Sequence, residues 1–368
     1  MEAATLRRRT PATALLVANA ISQLGNAMAF VAVPWFVLEA TGSAARTGLT
    51  GFALFLPNVI SGLFGGALVD RLGPKRSSVL AEAIGGVTIA AIPLLYRTVG
   101  LPFWQLMVLV FLGALLDLPG HTARRGLVPE LARLGGFRLE RINALYEGNS
   151  QLTFLLGPAL AGVLIAVVGA VNVLWIDAAT FALSALALGM LVPDVGRTAR
   201  VAGSRYVQEL VAGWRFLANE RLLLAMSLAI AVGNLFGNAH GAVILPVYAQ
   251  QVLGSSTALG LLLGISGGAA LLGTLAFGVL GGRLSWRWML VAGLLVQPLE
   301  YWTQAAAAPV GLVAAAIAVS ALAAGPINPL TVTVRHDASR RSSADASSRR
   351  RRRSRRWRPR SASWSSAC

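Results

Sequence analysis

Hydrophobic residues in this chain come in long blocks, not at alternating positions. Between residues 14 and 333 there are about ten apolar stretches: 14–38, 47–69, 78–96, 102–118, 147–168, 171–192, 222–249, 257–280, 288–306 and 310–332. Most have the length a helix needs to cross a bilayer, about 17–25 residues. Lipid offers no partner to backbone N–H and C=O groups, so each stretch is expected to be a helix that satisfies its own backbone. The first is too long for the apolar core of a cleavable signal, and no small-residue cleavage site follows it. The pattern predicts an all-α integral membrane protein.

The chain also repeats itself. Shifted by 212 residues, Gly25-Asn26-Ala27 falls on Gly237-Asn238-Ala239, Pro34 on Pro246, Gly42-Ser43 on Gly254-Ser255, and Arg71-Leu72 on Arg283-Leu284. In all, 14 of the 52 positions from Gly25 to Arg76 are identical to their counterparts. Two same-direction apolar repeats are a signature of secondary transporters, whose site lies between the halves. The organisation expected is a six-helix bundle over 1–192, a cytoplasmic linker over 193–221, a four-helix partial bundle over 222–333 and a basic tail over 334–368. Within the linker, Tyr206–Phe216 has apolar residues at helical spacing, as in a helix lying on a membrane surface. By the same offset the second half is two helices short of the first, so ten of twelve are expected.

Charge orients the chain. Only 13% of residues are charged, against 55% hydrophobic. A net charge of +17 would suggest nucleic acid in a soluble protein. Here 20 basic residues precede position 334, and 18 fall on one side if the N-terminus is cytoplasmic; only Arg46 and Arg97 fall outside. That is the positive-inside bias of a multi-pass membrane protein, and no nucleic-acid partner is expected. Residues 335–368 are mostly Arg, Ser and Ala, with Arg349–Arg353 in one run. They read either as a disordered basic tail on anionic lipid or as an out-of-frame translation. The one cysteine, Cys368, excludes disulfides within the chain.

The turn after the second stretch reads Gly66-Ala-Leu-Val-Asp70-Arg71-Leu-Gly73-Pro74-Lys75-Arg76. It resembles the G-x-x-x-D-R-x-G-R/K-R/K signature of the major facilitator superfamily. Pro119-Gly-His-Thr-Ala-Arg-Arg-Gly-Leu-Val-Pro129-Glu130-Leu is similar to the loop after helix 4 in that superfamily's drug-efflux branch, which holds macrolide and siderophore exporters. Gly157-Pro158-Ala-Leu-Ala-Gly162 resembles, in part, the kinked antiporter motif of its fifth helix. The resemblance covers residues 10–333. It implies a fold of two repeated helical bundles, with a gating latch at Gly66, Asp70, Arg71, Gly73, Lys75 and Arg76. It further implies that the latch docks on an eleventh helix. The second-half copy has Gly282 where Asp70 would be.

Polar residues at membrane depth are default site candidates because they are costly there. Asp117, Asp177 and Glu300 are candidates for proton coupling: a carboxyl group shut away from water can take up and release a proton as its surroundings change. Asp117 is alternatively a structural partner of Arg124 or Arg125, while Glu39 and Glu82 read as interfacial helix ends. Asn19, Ser22, Gln23 and Asn26 share one face of the first helix, and Asn234 and Asn238 share one face of its repeat partner. Asn19, Gln23, Asn26, Asn234 and Asn238 are therefore candidates for lining a central cavity, with interhelical hydrogen bonding as the plainer alternative. Trp35, Phe36, Phe55 and Tyr248 are candidates for its aromatic surface. Gly157, Pro158 and Gly162 are the candidate helix kink.

His121, His240 and His336 form no spaced ligand set, and no phosphate-binding Gly-rich loop is present. No metal, cofactor or ATP is expected, and His240 reads as a packed polar residue. The resemblance then implies a monomeric exporter in a bacterial cytoplasmic membrane, N-terminus inside. It would move a small amphipathic, drug-like or siderophore-like compound by alternating access, with protons as coupling ion. The rivals are an inactive truncated transporter product and a polytopic membrane enzyme.

Overall fold

The computed structural model describes residues 2–194, 208, 211, 214, 215, 218, 221–280, 291–293 and 295–325. Of the linker stretch 206–216 the described residues Gln208, Val211, Trp214 and Arg215 are helical and exposed; its other residues, the second-half latch at Gly282 and Arg283, and the tail after 334 lie outside the described residues. All regular structure among the described residues is helical. We label the helices α1 (Glu2–Thr41), α2 (Ala44–Leu72), α3 (Pro74–Thr98), α4 (Phe103–Leu115), α5 (Asp117–Gly135), α6 (Leu139–Val168), α7 (Ala170–Leu191), α8 (Arg221–Ala239), α9 (Ser256–Leu280), α10 (Pro298–Ala305) and α11 (Val310–Ala324). Among the described residues, seven spans are long and apolar enough to cross a membrane, with α11 a shorter apolar helix. Their outward faces carry large exposed apolar residues such as Phe52, Phe64, Val87, Trp104, Leu183 and Leu272, as lipid contact requires.

Two stretches differ from the sequence reading. The expected loop Pro119–Leu131 is helical and belongs to α5, which buries Ala123, Arg124, Leu127, Val128 and Leu131 at helical spacing. Gly136, with φ 65°, stops it. The α4–α5 rod breaks only at Leu116. Pro119 cannot donate to the Leu115 carbonyl and its ring crowds that group, which accounts for the break. The stretch 222–249 is likewise not one regular helix. α8 runs into a π-helical turn at His240–Ile244, one α-turn at Leu245–Tyr248 and a second π-turn at Ala249–Leu253.

The helices pack in two groups. α1 lies against α6 and α7, α3 against α5 and α7, and α2 against α4 and α5; in the second group α9 and α10 pack on α11. The groups meet chiefly where α6 crosses α9. Call the end with the α2–α3 and α5–α6 turns the near end, and that with the α1–α2 and α6–α7 turns the far end. One apolar core runs through both groups toward the far end, from Val31 and Phe36 through Ile165 to Leu245, Leu259 and Val313. A second core, around Leu15, Leu127, Leu131, Ile142 and Leu188, belongs to the first group alone. Among the described residues the groups are joined chiefly toward the far end.

Gly73 makes the α2–α3 turn with φ 85° and ψ 155°, and Pro74 opens α3. That backbone region is essentially closed to residues with a Cβ. Gly73→Val is expected to cost about 1–3 kcal/mol. It should lower the thermal unfolding midpoint of the purified chain, whereas Gly126→Ala, at a site with open space, should not.

Candidate functional site

Between the two groups lies a cavity of about 1040 Å³. The first group contributes Gln23 from α1, His121 from α5, and Glu147, Gln151 and Phe154 from α6; the second contributes His240, Gln297, Glu300 and residues of α9 and α11. The lining continues to near-end positions such as His121 and Glu147. Toward the far end the walls close. A Cβ built on Gly162 of α6 would lie 2.6 Å from the Gly260 Cα and 2.6 Å from the Ser256 carbonyl oxygen of α9. Phe30 stacks edge-on against Phe55, with centroids 6.1 Å apart, and Tyr248 donates to the Ala308 carbonyl at 3.3 Å. Among the described residues, the contact that closes the space between the two groups toward the far end is the α6–α9 crossing.

Charge in the cavity wall is one-sided. Among the described lining residues there is no Lys or Arg, and the acids are Glu147 and Glu300. Glu147 is paired with Arg125. Glu300 is 8% exposed, and no hydrogen bond or ion pair engages its carboxyl group among the described residues. In the same cavity wall, His240 sits in the first π-turn and shares a hydrogen bond with Gln304 (Nε2 to Oε1 3.1 Å), its ring edge-on to Tyr301. π-turns recur at functional sites because they displace one side chain from the helical register. Nothing in the linear sequence marks that turn.

The polar stripe of α1 divides its work. Gln23 faces the cavity. Ser22 donates to Glu82 Oε1 of α3 at 3.0 Å, and Asn26 Nδ2 donates to Asp117 Oδ1 at 3.1 Å. Asn19 is fully buried, and neither side-chain atom has a partner among the described residues. Asn234 and Asn238 are exposed on α8. Trp35, Phe36 and Tyr248 are buried in the far-end core, and Phe55 lines a smaller chamber inside the first group.

Two expectations about pairing are corrected. Asp117 does not pair with Arg124 or Arg125. Arg124 pairs with Glu82, and Arg125 with Glu147. Nor is Glu82 an interfacial end residue: Glu82 and Arg124 are each 1% exposed and form a buried ion pair between α3 and α5. Their 42-residue separation hides the pair from any local pattern. Asp177 is 0% exposed; it accepts from the Thr180 hydroxyl at 3.3 Å, while Oδ2 has no partner. Gly25 of α1 leaves the space that the Asp177 and Thr180 side chains fill.

At the near end, Asp70 and Arg71 are exposed, with no ion pair among the described residues, and Gly66 is half-buried above them. Arg76 Nε lies 3.9 Å from Asp194, and Lys75 is half-buried. Gly157 packs against Ala27 of α1, and the Pro158 carbonyl lies against Gly260, within a continuous α6.

A family model described as Major Facilitator Superfamily matches residues 15–348. The chain is 33% identical over 332 residues to the multidrug efflux pump Tap of Mycobacterium tuberculosis, covering 88% of this chain and 78% of that protein. In fold it is similar to the nucleoside transporter NupG, with a TM-score of 0.71 at 13% identity over 87% of this chain and 80% of that one. It is also similar to a bacterial homologue of the lysosomal transporter Spinster in an inward-facing conformation. There the TM-score is 0.64 at 14% identity, covering 89% and 75% of the two chains.

Proposed function

Because this chain belongs to the major facilitator superfamily, and so is a multi-pass membrane transporter rather than an enzyme, we propose that it is a proton-coupled exporter of small amphipathic cations. The observation that carries the reading is the cavity: about 1040 Å³ between the two helical groups, with Glu300 in its wall and unpaired among the described residues. Positive-inside bias puts the near end in a bacterial cytoplasm, with the N-terminus on that side. The chain is then inward-open, poised to take its cargo from the cytoplasm. Phe154 and Leu271 offer apolar surface, and the glutamines and His240 offer hydrogen bonds. With no Lys or Arg among the described lining residues, this carboxylate favours a cation over an anionic ferric siderophore. The relatives named as drug efflux pumps support a drug-like cargo.

Export against a gradient needs a group that changes charge between the two access states. Asp117, Asp177 and Glu300 are the membrane-depth carboxyls for that role, Glu300 being the one the cargo would meet. The Gly66–Arg76 turn acts as the near-end latch, and a monomer suffices for the cycle. Everted membrane vesicles holding the full chain should take up ethidium when a pH gradient is imposed and release it when the gradient collapses. Glu300→Gln should cut that uptake more than tenfold, as expected for about 2 kcal/mol or more lost with a partly desolvated charge contact. Asp70→Asn should abolish uptake without altering the amount inserted. No gradient-dependent uptake by a well-inserted wild-type chain would end the exporter reading.

A further inference from the structure

Between α2 and α4 of the first helical group lies a groove of about 390 Å³. Leu49, Phe52 and Leu56 of α2 face Phe103, Met107 and Phe111 of α4 across it, and every side chain on its wall is apolar. None of these residues lines the central cavity. Leu49, Phe52, Val108 and Leu112 on its wall are exposed, so the groove opens on the lipid-facing surface.

A cation stands at its far-end mouth. The Arg46 guanidinium carbon lies over the Phe103 ring, 5.5 Å from its centroid, and Phe103 is part of the groove wall. Such a contact holds the charge beside the ring without neutralising it. Arg46 is exposed, and its side chain has no hydrogen bond or ion pair among the described residues. Arg46 and Arg97 are the two basic residues before position 334 that fall on the far side of the membrane. Arg97 is engaged, donating to the Asn172 side chain. Arg46 still lacks an anion.

The helix itself sets the depth of this charge in the bilayer. Arg46 and Arg71 stand 25 residues apart on α2, about 37 Å at 1.5 Å per residue. A bilayer measures about 40–45 Å with its head groups. Arg46 therefore lies at head-group level when Arg71 does. Trp104, exposed and next to Phe103, sits where interfacial aromatic belts form. From Arg46 down to Leu56 the groove descends about 15 Å, half of a hydrocarbon core of about 30 Å. An apolar channel one leaflet deep, with a cation at its head, has the shape and charge of a phospholipid in negative. Guanidinium matches phosphate in geometry as well as charge. A head group of net negative charge suits it better than a zwitterionic one, whose own ammonium competes for the phosphate.

We propose that the α2–α4 groove binds one anionic glycerophospholipid of the far-end leaflet, with its phosphate on Arg46 and an acyl chain along Phe52, Leu56, Met107 and Phe111. The lipid would tie α2 to α4 close to the join between the helical groups. On the same stretch of α2, a Cβ built on Gly51 would lie 3.4 Å from the Ala242 Cβ of the first π-turn. Occupancy of the groove does not depend on the exporter reading.

The test is photocrosslinking from inside the groove. The full chain, with benzoylphenylalanine in place of Phe52, is reconstituted in vesicles of equal phosphatidylglycerol and phosphatidylcholine with the same acyl chains. After irradiation, mass spectrometry identifies what position 52 has captured. Phosphatidylglycerol should exceed phosphatidylcholine about fivefold, which corresponds to about 1 kcal/mol from one basic side chain at the surface. Arg46→Gln should bring the two lipids to equal capture, and Arg46→Lys should keep part of the preference. Arg97→Gln, on the same side of the membrane, should leave it unchanged. Equal capture in the parent chain, or a preference that survives Arg46→Gln, overturns the site. So does capture of protein in place of lipid, which would make the groove an interface with another chain. A chain that captures the anionic lipid but exports nothing loses the exporter reading alone.

Discussion

Arg124→Met is expected to destabilise the first helical group by about 3–5 kcal/mol, the cost of leaving Glu82 buried without its partner. Arg124 and Glu82 are each 1% exposed, so water cannot replace the lost contact. Among the described residues only the Ser22 hydroxyl, at 3.0 Å, would still hold the carboxylate. Against net stabilities of about 5–15 kcal/mol, the loss should remove most of the chain from the membrane fraction. The double variant Glu82→Gln with Arg124→Met should recover much of the yield, because it removes both charges and not one. By contrast Arg125→Met, which breaks an exposed pair with Glu147, should cost no more than about 1 kcal/mol. Quantifying inserted protein for the three variants checks the point. Equal losses from Arg124→Met and Arg125→Met would contradict it.

Gly162→Leu is expected to expel the chain from its far-end-closed state. A Cβ at Gly162 would meet the Gly260 backbone at 2.6 Å, and backbone cannot rotate aside as a side chain can. Overpacking of this kind costs about 1–3 kcal/mol or more. At about 2.7 kcal/mol the balance between the two access states moves a hundredfold. The readout is thiol labelling of Gln151→Cys, a cavity residue, with Cys368→Ser removing the native thiol. Labelling from the near end should fall in Gly162→Leu and should not fall in Gly126→Leu, where no atom lies within 4 Å of a new Cβ. Export should fall with it. Undiminished labelling would mean that the α6–α9 crossing is not the far-end seal.

The sequence made the helices legible because lipid enforces length and internal hydrogen bonding on every span. It also exposed the α2–α3 turn, since Gly73-Pro74 leaves few other conformations. Faces were legible, but not what they meet. Ser22 and Gln23 are neighbours in sequence, yet about 100° apart around α1. One reaches Glu82 inside the first group, and the other faces the central cavity. Periodicity alone carries no information on which side the partner group stands. The segment Pro119–Leu131 reads as a loop through its resemblance to the superfamily's loop after helix 4. The spacing of Ala123, Leu127 and Leu131 was the signal of a helix. The Glu82–Arg124 pair and the His240 π-turn owe their surroundings to packing between helices far apart in sequence. No local pattern records them.

The central claim is that the two helical groups rock about the cavity, so that one end opens as the other closes. Two spin-label distances test it most directly, on a Cys368→Ser background in lipid nanodiscs. One joins exposed near-end positions, Leu134 on α5 and Val279 on α9; the other joins exposed far-end positions, Val99 after α3 and Val310 on α11. With ethidium bound and the pH changed across the working range, the near-end distance should shorten as the far-end distance lengthens, in matched proportions. Distances that stay fixed, or that move together, would contradict the account.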